Sequence, residues 1–148
     1  APVRGEILAL LLRLRDELGL AALVVTHDLG MAWSIADRVA VMYLGRIVET
    51  GPVEQVLRAP RHPYTSALLA ALPRRGREPA PLTGEPPDPA LIPAGCRFHP
   101  RCPLLGASTD PELAARCRAV PLPILAGDRM AETACHATGS PGADRVLR

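Results

Sequence analysis

Leu20-Ala21-Ala22-Leu23-Val24-Val25-Thr26-His27-Asp28 is an unbroken apolar run that ends in three polar residues. A run of this length with β-branched residues near its end is the pattern of a central parallel strand covered on both faces. Asp28 then supplies the N-cap for a helix over Leu29 to Ala36. Upstream, Ile7, Leu10, Leu11, Leu14 and Leu18 recur at helical spacing, with Glu6, Arg13, Asp16 and Glu17 on the other side. They predict an amphipathic helix from Val3 to Leu18. Gly19 sits where a left-handed C-terminal cap belongs. Helix, buried strand, helix is the rhythm of an α/β fold.

Downstream, Arg38 to Leu44 reads as a second strand. Gly45-Arg46 turns it into a third, Ile47 to Glu49, and the pair predicts an antiparallel hairpin. Gly51-Pro52 opens a short helix over Pro52 to Arg58. A further helix runs from Pro63, after His62, to Leu72 and stops at Pro73. Then the composition changes: residues 73–93 hold seven prolines in 21 positions, plus Gly76 and Gly84. This is a polyproline-like connector. The organisation expected is a helix-and-strand part over 1–72, the connector over 73–95, a loop-rich cysteine unit over 96–138, and a disordered tail over 139–148. One short helix, Pro111 to Arg116, falls within the cysteine unit.

Composition narrows the function. With four aromatics in 148 residues, the core must be Leu, Val, Ala and Ile. A net charge of +2 gives no electrostatic footprint for nucleic acid. No apolar run reaches the ~18–20 residues needed to span a bilayer. Ile7 to Leu18 is not a secretory leader, because Arg13 and Arg15 interrupt it. Without export, the cysteines are expected as free thiols or metal ligands rather than disulfides. The chain has no lysine: all 17 of its basic residues are arginine. No Gly-x-x-x-x-Gly-Lys-Ser/Thr phosphate loop occurs. Ala1 in place of an initiator Met suggests a fragment or processed product.

Two sets of residues carry chemistry. His27, at the carboxyl end of a predicted central strand, points to where α/β proteins bind ligands. Spacing alone leaves it equally open as a capping or core-edge histidine. Asp28 reads as a helix cap rather than a base, and Asp37 and Arg38 as a local polar pair. The second set is Cys96-x5-Cys102, Cys117 after fourteen residues, and Cys135 after seventeen more. This is not the C-x2-C spacing of common zinc ribbons or ferredoxins. Four thiolates are the right number for an iron–sulfur cluster. Zinc, with His99 recruited between Cys96 and Cys102, is the alternative, and unmetallated thiols or disulfides are the third. Arg74, Arg75 and Arg77 read as a solvated linker cluster.

Several segments agree in order and spacing with one family. Val24-Val25-Thr26-His27-Asp28-Leu29, then Ala36 to Tyr43, then Gly45 to Gly51 resemble the end of an ABC transporter ATP-binding subunit. His62-Pro63-Tyr64-Thr65-Ser66-Ala67-Leu68-Leu69-Ala70-Ala71-Leu72-Pro73 resembles the hallmark of its oligopeptide/dipeptide/nickel branch. Gly95-Cys96-Arg97-Phe98-His99-Pro100-Arg101-Cys102-Pro103 is similar to that branch's cysteine-containing extension. The resemblance implies the C-terminal part of a P-loop ABC-type nucleotide-binding domain plus a small cysteine extension. It implies ATP and Mg for the parent protein, His27 as the switch histidine on the γ-phosphate, and a 4Fe–4S cluster on Cys96, Cys102, Cys117 and Cys135.

It further implies work at the cytoplasmic face of the membrane, powering import of oligopeptides or dipeptides. The partners would be two permease subunits and a second ATPase subunit, with an extracytoplasmic solute-binding protein acting indirectly. The family's phosphate loop, signature motif, catalytic glutamate and D-loop all precede the first helix seen here. The 148 residues alone are therefore expected to be inactive. The gap from Cys102 to Cys117 is longer than the family pattern, with an insertion between Leu104 and Ala115. A freestanding metal-binding or interaction module, with a redox-sensing role, is the competing reading.

Overall fold

The computed structural model describes residues 2–73, 78–85, 87–127 and 130–138. The readings made for the tail 139–148 and for Arg74, Arg75 and Arg77 lie outside these residues. The chain divides into two compact units between Asp37 and Arg38.

The first unit holds α1, Pro2–Leu18, and α2, Leu29–Ile35. α1 ends as its sequence requires. Gly19 takes φ 64°, and the Leu20 N–H donates to the Arg15 carbonyl at 3.0 Å. That six-residue closure is a Schellman stop, which favours glycine at the left-handed position. The apolar stripe of α1 is not buried: Ile7 is 53 %, Leu10 52 % and Leu18 63 % exposed.

Residues 20–26 correct the first expectation. They form no strand, and Leu23 and Val25 are fully open to solvent. A strand exists through the ladder it shares with a neighbour, and among the described residues none pairs with this segment. The corner that follows is built locally. The Asp28 N–H donates to Thr26 Oγ1 at 2.9 Å, and Asp28 Oδ1 accepts the Met31 N–H at 3.0 Å as the α2 cap. Asp37 pairs with Arg15 at 3.5 Å.

The second unit opens with the expected hairpin, β1 Arg38–Tyr43 and β2 Arg46–Pro52, antiparallel. The turn is Leu44-Gly45, with φ of 46° and 73°, the two positive angles of a tight type I′ connection. Register slips between Val41 and Met42, where Val41 faces Glu49 and Met42 faces Ile47. Val48 is therefore the extra residue of a β-bulge, and four successive residues, Val48 to Gly51, are buried where alternation would bury two. A two-residue strand, β3 Glu132–Thr133, pairs with β2 and completes an antiparallel sheet in the order β1-β2-β3. The sequence reading missed β3 because two residues carry no periodic signal.

Two helices follow the hairpin, α3 Val53–Arg58 and α4 Pro63–Ala70. They bury Val53, Val56, Leu57, Pro63, Thr65 and Leu69. Phe98, the only phenylalanine, is 1 % exposed. Its ring lies 5.1 Å from Tyr43 and 5.3 Å from Tyr64, and such edge contacts add to the roughly 2–3 kcal/mol that burial of a phenylalanine supplies. Residues 78–85 and 87–95 hold no helix or strand. After them come a 3₁₀ turn, His99–Arg101, and helices α5 Pro103–Ala107 and α6 Pro111–Ala119. The described chain is thus a mixed helix-and-strand protein with a small sheet. Among the described residues no helix is long and apolar enough to cross a membrane.

Candidate functional site

The second unit is organised around one buried polar joint. The bulge at Val48 turns Glu49 inward, where its side chain is 1 % exposed. Glu49 Oε1 accepts the Arg61 N–H at 2.7 Å, and Oε2 accepts the His62 N–H at 3.1 Å. The Thr133 hydroxyl of β3 donates to Oε1 at 3.5 Å. One carboxylate thus ties β2, the start of α4 and β3 together.

His62 stands at the N-cap of α4, ahead of Pro63. Its Nδ1 accepts the Tyr64 N–H at 3.0 Å. A ring nitrogen that accepts is unprotonated, so the neutral imidazole carries its proton on Nε2. That Nε2 is buried, with no hydrogen-bond partner among the described residues. Burial pushes the His62 pKa down to about 4, so the ring is neutral near pH 7. The sequence reading treated His62 only as a helix start. His-Pro before an apolar helix signals a cap, and nothing local signals the cavity that His62 helps to line.

That cavity brings the four cysteines together. Its volume is about 10 Å³, and it is lined by Cys96, Cys102, Cys117 and Cys135 along with His62 and Phe98. Each cysteine arrives on a different kind of element. Cys96 follows Gly95, whose φ is 65° and whose missing Cβ would lie 2.5 Å from the Cys117 carbonyl oxygen. Only glycine allows that approach, and it lets the Cys96 N–H donate to Cys117 O at 2.9 Å. Cys102 leads into α5, Cys117 is on α6, and Cys135 follows β3. All four are free thiols. Burial first, then neighbouring thiols, pushes the Cys96 pKa up to about 11. Burial likewise raises Cys102 and Cys117.

The expected ligand set is therefore gathered, Cys117 included, despite the long gap before it. It is not assembled as a coordination sphere. Among the described residues no group of three His, Cys, Asp or Glu side chains is placed to hold a metal ion, and the expected iron–sulfur cluster finds no ready-made cradle. The physical reason is that buried neutral thiols pack as small apolar groups until a cation draws off their protons. His99, the alternative ligand, has its Nδ1 2.9 Å from Cys96 O, which leaves only Nε2 for any other partner.

Two arginines fasten this segment to the hairpin. Arg97 donates to the Leu44 carbonyl at the turn, and Arg46 donates to Leu122 O. His27, the other expected site residue, belongs to the first unit. It is exposed and stands at the bend between residues 20–26 and α2.

Comparison with known proteins places these features. The family described as the oligopeptide/dipeptide transporter C-terminal region matches residues 48–108. That span holds Glu49, His62, Cys96 and Cys102. The chain is 46 % identical over 138 residues, 90 % of its length, to a probable peptide ABC transporter ATP-binding protein, y4tS, of Sinorhizobium fredii, of which that covers 37 %. It is 51 % identical over 104 residues to the dipeptide transport ATP-binding protein DppF of Haemophilus influenzae, covering 68 % of this chain and 32 % of that one. The Escherichia coli DppF is 49 % identical over 104 residues, 68 % of this chain and 31 % of its own. The chain thus spans about a third of the length of these relatives. The resemblance read from the sequence is borne out.

Proposed function

We propose that this chain, similar over most of its length to the C-terminal part of the ATP-binding proteins of peptide importers, does that part's work in an ATP-driven peptide or dipeptide import machine. The observation that carries the reading is the 46 % identity over 138 residues to a peptide ABC transporter ATP-binding protein. The uncovered surfaces support it. α1 presents an apolar stripe, and residues 20–26 present apolar side chains and, among the described residues, no strand partner. Both are what a strand and helix look like when their sheet neighbours are supplied by further protein.

In such an assembly residues 20–26 would pair as a strand and carry His27 to its edge. There the imidazole N–H would bond a γ-phosphate oxygen of Mg-bound ATP and steady the attacking water. Its contribution is positional and electrostatic, as phosphoryl transfer requires. Thr26 and Asp28 already hold the bend on either side of it. The whole machine would include permease subunits in the membrane and a second ATPase subunit, with this protein peripheral on the cytoplasmic face. Peptide selection would rest with other chains.

The test is a chimera. The 148-residue chain alone is expected to show no ATP turnover. Joined in frame behind the preceding two-thirds of Escherichia coli DppF, it should yield an ATPase, and His27→Ala in that chimera should lower turnover at least tenfold. A chimera that folds and binds ATP yet ignores His27→Ala would overturn the role given to His27. Turnover by the 148 residues alone would overturn the division of labour.

A second reading concerns the cysteines. We infer that they hold a thiophilic metal. Four free thiols on one cavity fit that chemistry, and so does a buried imidazole N–H left without an acceptor. The present void is about the size of one water, and among the described residues no three His, Cys, Asp or Glu side chains are placed to hold a metal ion, so uptake of even a single ion requires the thiols to rearrange. A four-iron, four-sulfide cluster requires the loops carrying Cys96, Cys102 and Cys135 to part. Iron, sulfide and zinc analysis of anaerobically purified protein decides between them, and metal-free protein that also takes up none would end this reading.

A further inference from the structure

We propose that Arg46 and Arg97 form a binding site for a small phosphate monoester, in the cleft between the β1–β2 turn and the segment that follows α6. The two arginines line one cavity of about 200 Å³ together with Ile92, Pro93, Pro121 and Leu122. That is below the roughly 300–1,000 Å³ of pockets that enclose drug-sized molecules, so the ligand is small. The fold brings the two cations to this cleft from distant parts of the chain. Arg46 Nη2 donates to the Leu122 carbonyl, on a residue that is itself a wall of the cavity. Arg97 Nη1 donates to the Leu44 carbonyl. It lies 3.5 Å from where a Cβ on Gly45 would stand, one residue before Arg46.

Both side chains are partly withdrawn from solvent, and each guanidinium carries five N–H donors in a planar fork. One donor from each is spent on a backbone carbonyl, which fixes the fork in place and leaves its charge uncompensated. Among the described residues neither arginine pairs with a carboxylate, and no Asp or Glu lines the cavity. Half-buried charges of one sign on one cavity repel, and an anion between them removes both the repulsion and the lost solvation. Phosphate matches the pair. Its oxygens accept two parallel N–H bonds from an arginine fork. A monoester's charge of about −1.5 to −2 near pH 7 balances two guanidinium groups, where a carboxylate balances one. The rest of the lining is chiefly apolar, and Ile92 is half exposed at its edge. Those walls suit a phosphate that carries an apolar group better than free phosphate.

The experiment is a titration of the full chain with phenyl phosphate, read by the Arg46 and Arg97 Nε–H signals in ¹⁵N-edited NMR. The two signals are expected to shift together and saturate, with half-saturation below about 1 mM. Signals that stay in place, or drift without saturating, would overturn the proposal. Inorganic phosphate should move the same two signals at about tenfold higher concentration, because it leaves the apolar walls uncovered. Equal affinity for the two would overturn the assignment of a monoester. Benzoate should bind about tenfold more weakly than phenyl phosphate, and an equal response to it would overturn the choice of phosphate. Arg97→Gln should weaken phenyl phosphate binding about tenfold or more. Arg13→Gln removes the same charge from exposed α1 and should leave binding unchanged, so an equal loss in both would reduce the site to diffuse attraction and overturn it. Arg97 also fastens the fold, and Ile92→Glu is therefore the second variant. Ile92 is half exposed, so little packing is lost, and the new carboxylate competes for the guanidinium groups. Phenyl phosphate binding that survives Ile92→Glu undiminished would overturn the proposal.

Discussion

Glu49 and His62 lie thirteen residues apart in sequence, and the Glu49 carboxylate accepts the His62 backbone N–H at 3.1 Å at a point where both residues are 1 % exposed. The bond joins a bulged strand to a helix cap. Through Thr133 it reaches β3, two residues before Cys135. The polar joint and the sulfur cavity are therefore one construction seen from two sides.

Glu49→Gln tests the joint. The amide keeps one acceptor oxygen but turns an NH₂ toward a backbone N–H, so a buried donor loses its partner. Hydrogen bonds to charged groups contribute about 1.5–3 kcal/mol, and an orphaned partner adds its desolvation cost. The variant is expected to unfold about 2 kcal/mol more easily in urea. An unchanged midpoint would mean that the joint contributes nothing to stability.

The pH response follows from His62. Burial lowers its pKa from 6.5 to about 4, so between those values the unfolded chain binds a proton that the folded chain refuses. Stability from this group is fully present above pH 6.5 and is lost as pH falls toward 4, by about 3 kcal/mol in all. In metal-free protein, unfolding measured at pH 7 and pH 4.5 should show that loss. His62→Asn should lack this part of the slope, and equal slopes in the two proteins would place the acid sensitivity elsewhere.

Gly95→Ala should loosen the sulfur cavity. An added Cβ would meet the Cys117 carbonyl at 2.5 Å and Arg118 backbone at 2.8 Å, so the chain must move and the Cys96–Cys117 backbone bond must lengthen. A φ of 65° is costly for alanine as well. The expected result is a loss of about 2–3 kcal/mol and faster reaction of the thiols with a disulfide reagent. Unaltered thiol kinetics would show that the approach at Gly95 does not gate the cavity.

The stripe on α1 predicts the opposite kind of result. Leu10 and Leu18 are more than half exposed, so Leu10→Gln with Leu18→Gln should change the stability of this chain by less than about 0.5 kcal/mol. The same pair should reduce binding of an apolar fluorescent dye. A large destabilisation would show that the stripe is packed in solution.

Some of this was legible in the chain itself. The Schellman glycine after α1, the Asp28 cap, the hairpin and the helix behind His62-Pro63 all rest on bonds within a few residues, and short-range bonds leave short-range signatures. The ordered cysteine segment and the His-Pro-Tyr-Thr motif pointed to the family. Where local pattern met a non-local requirement, the reading failed. Residues 20–26 have the composition of a buried strand, but a strand is completed by its neighbours, and none among the described residues pairs with it.

What the sequence determined by itself was therefore the set of local elements, their caps and the family likeness. The tertiary structure alone decided that a bulge at Val48 would bury Glu49, that Glu49 would grip the start of α4, and that four cysteines spread over some forty residues would share one cavity with His62. The physical reason is range: caps and turns are settled by bonds between near neighbours, whereas a buried carboxylate or a gathered set of thiols exists only after distant segments have closed around it.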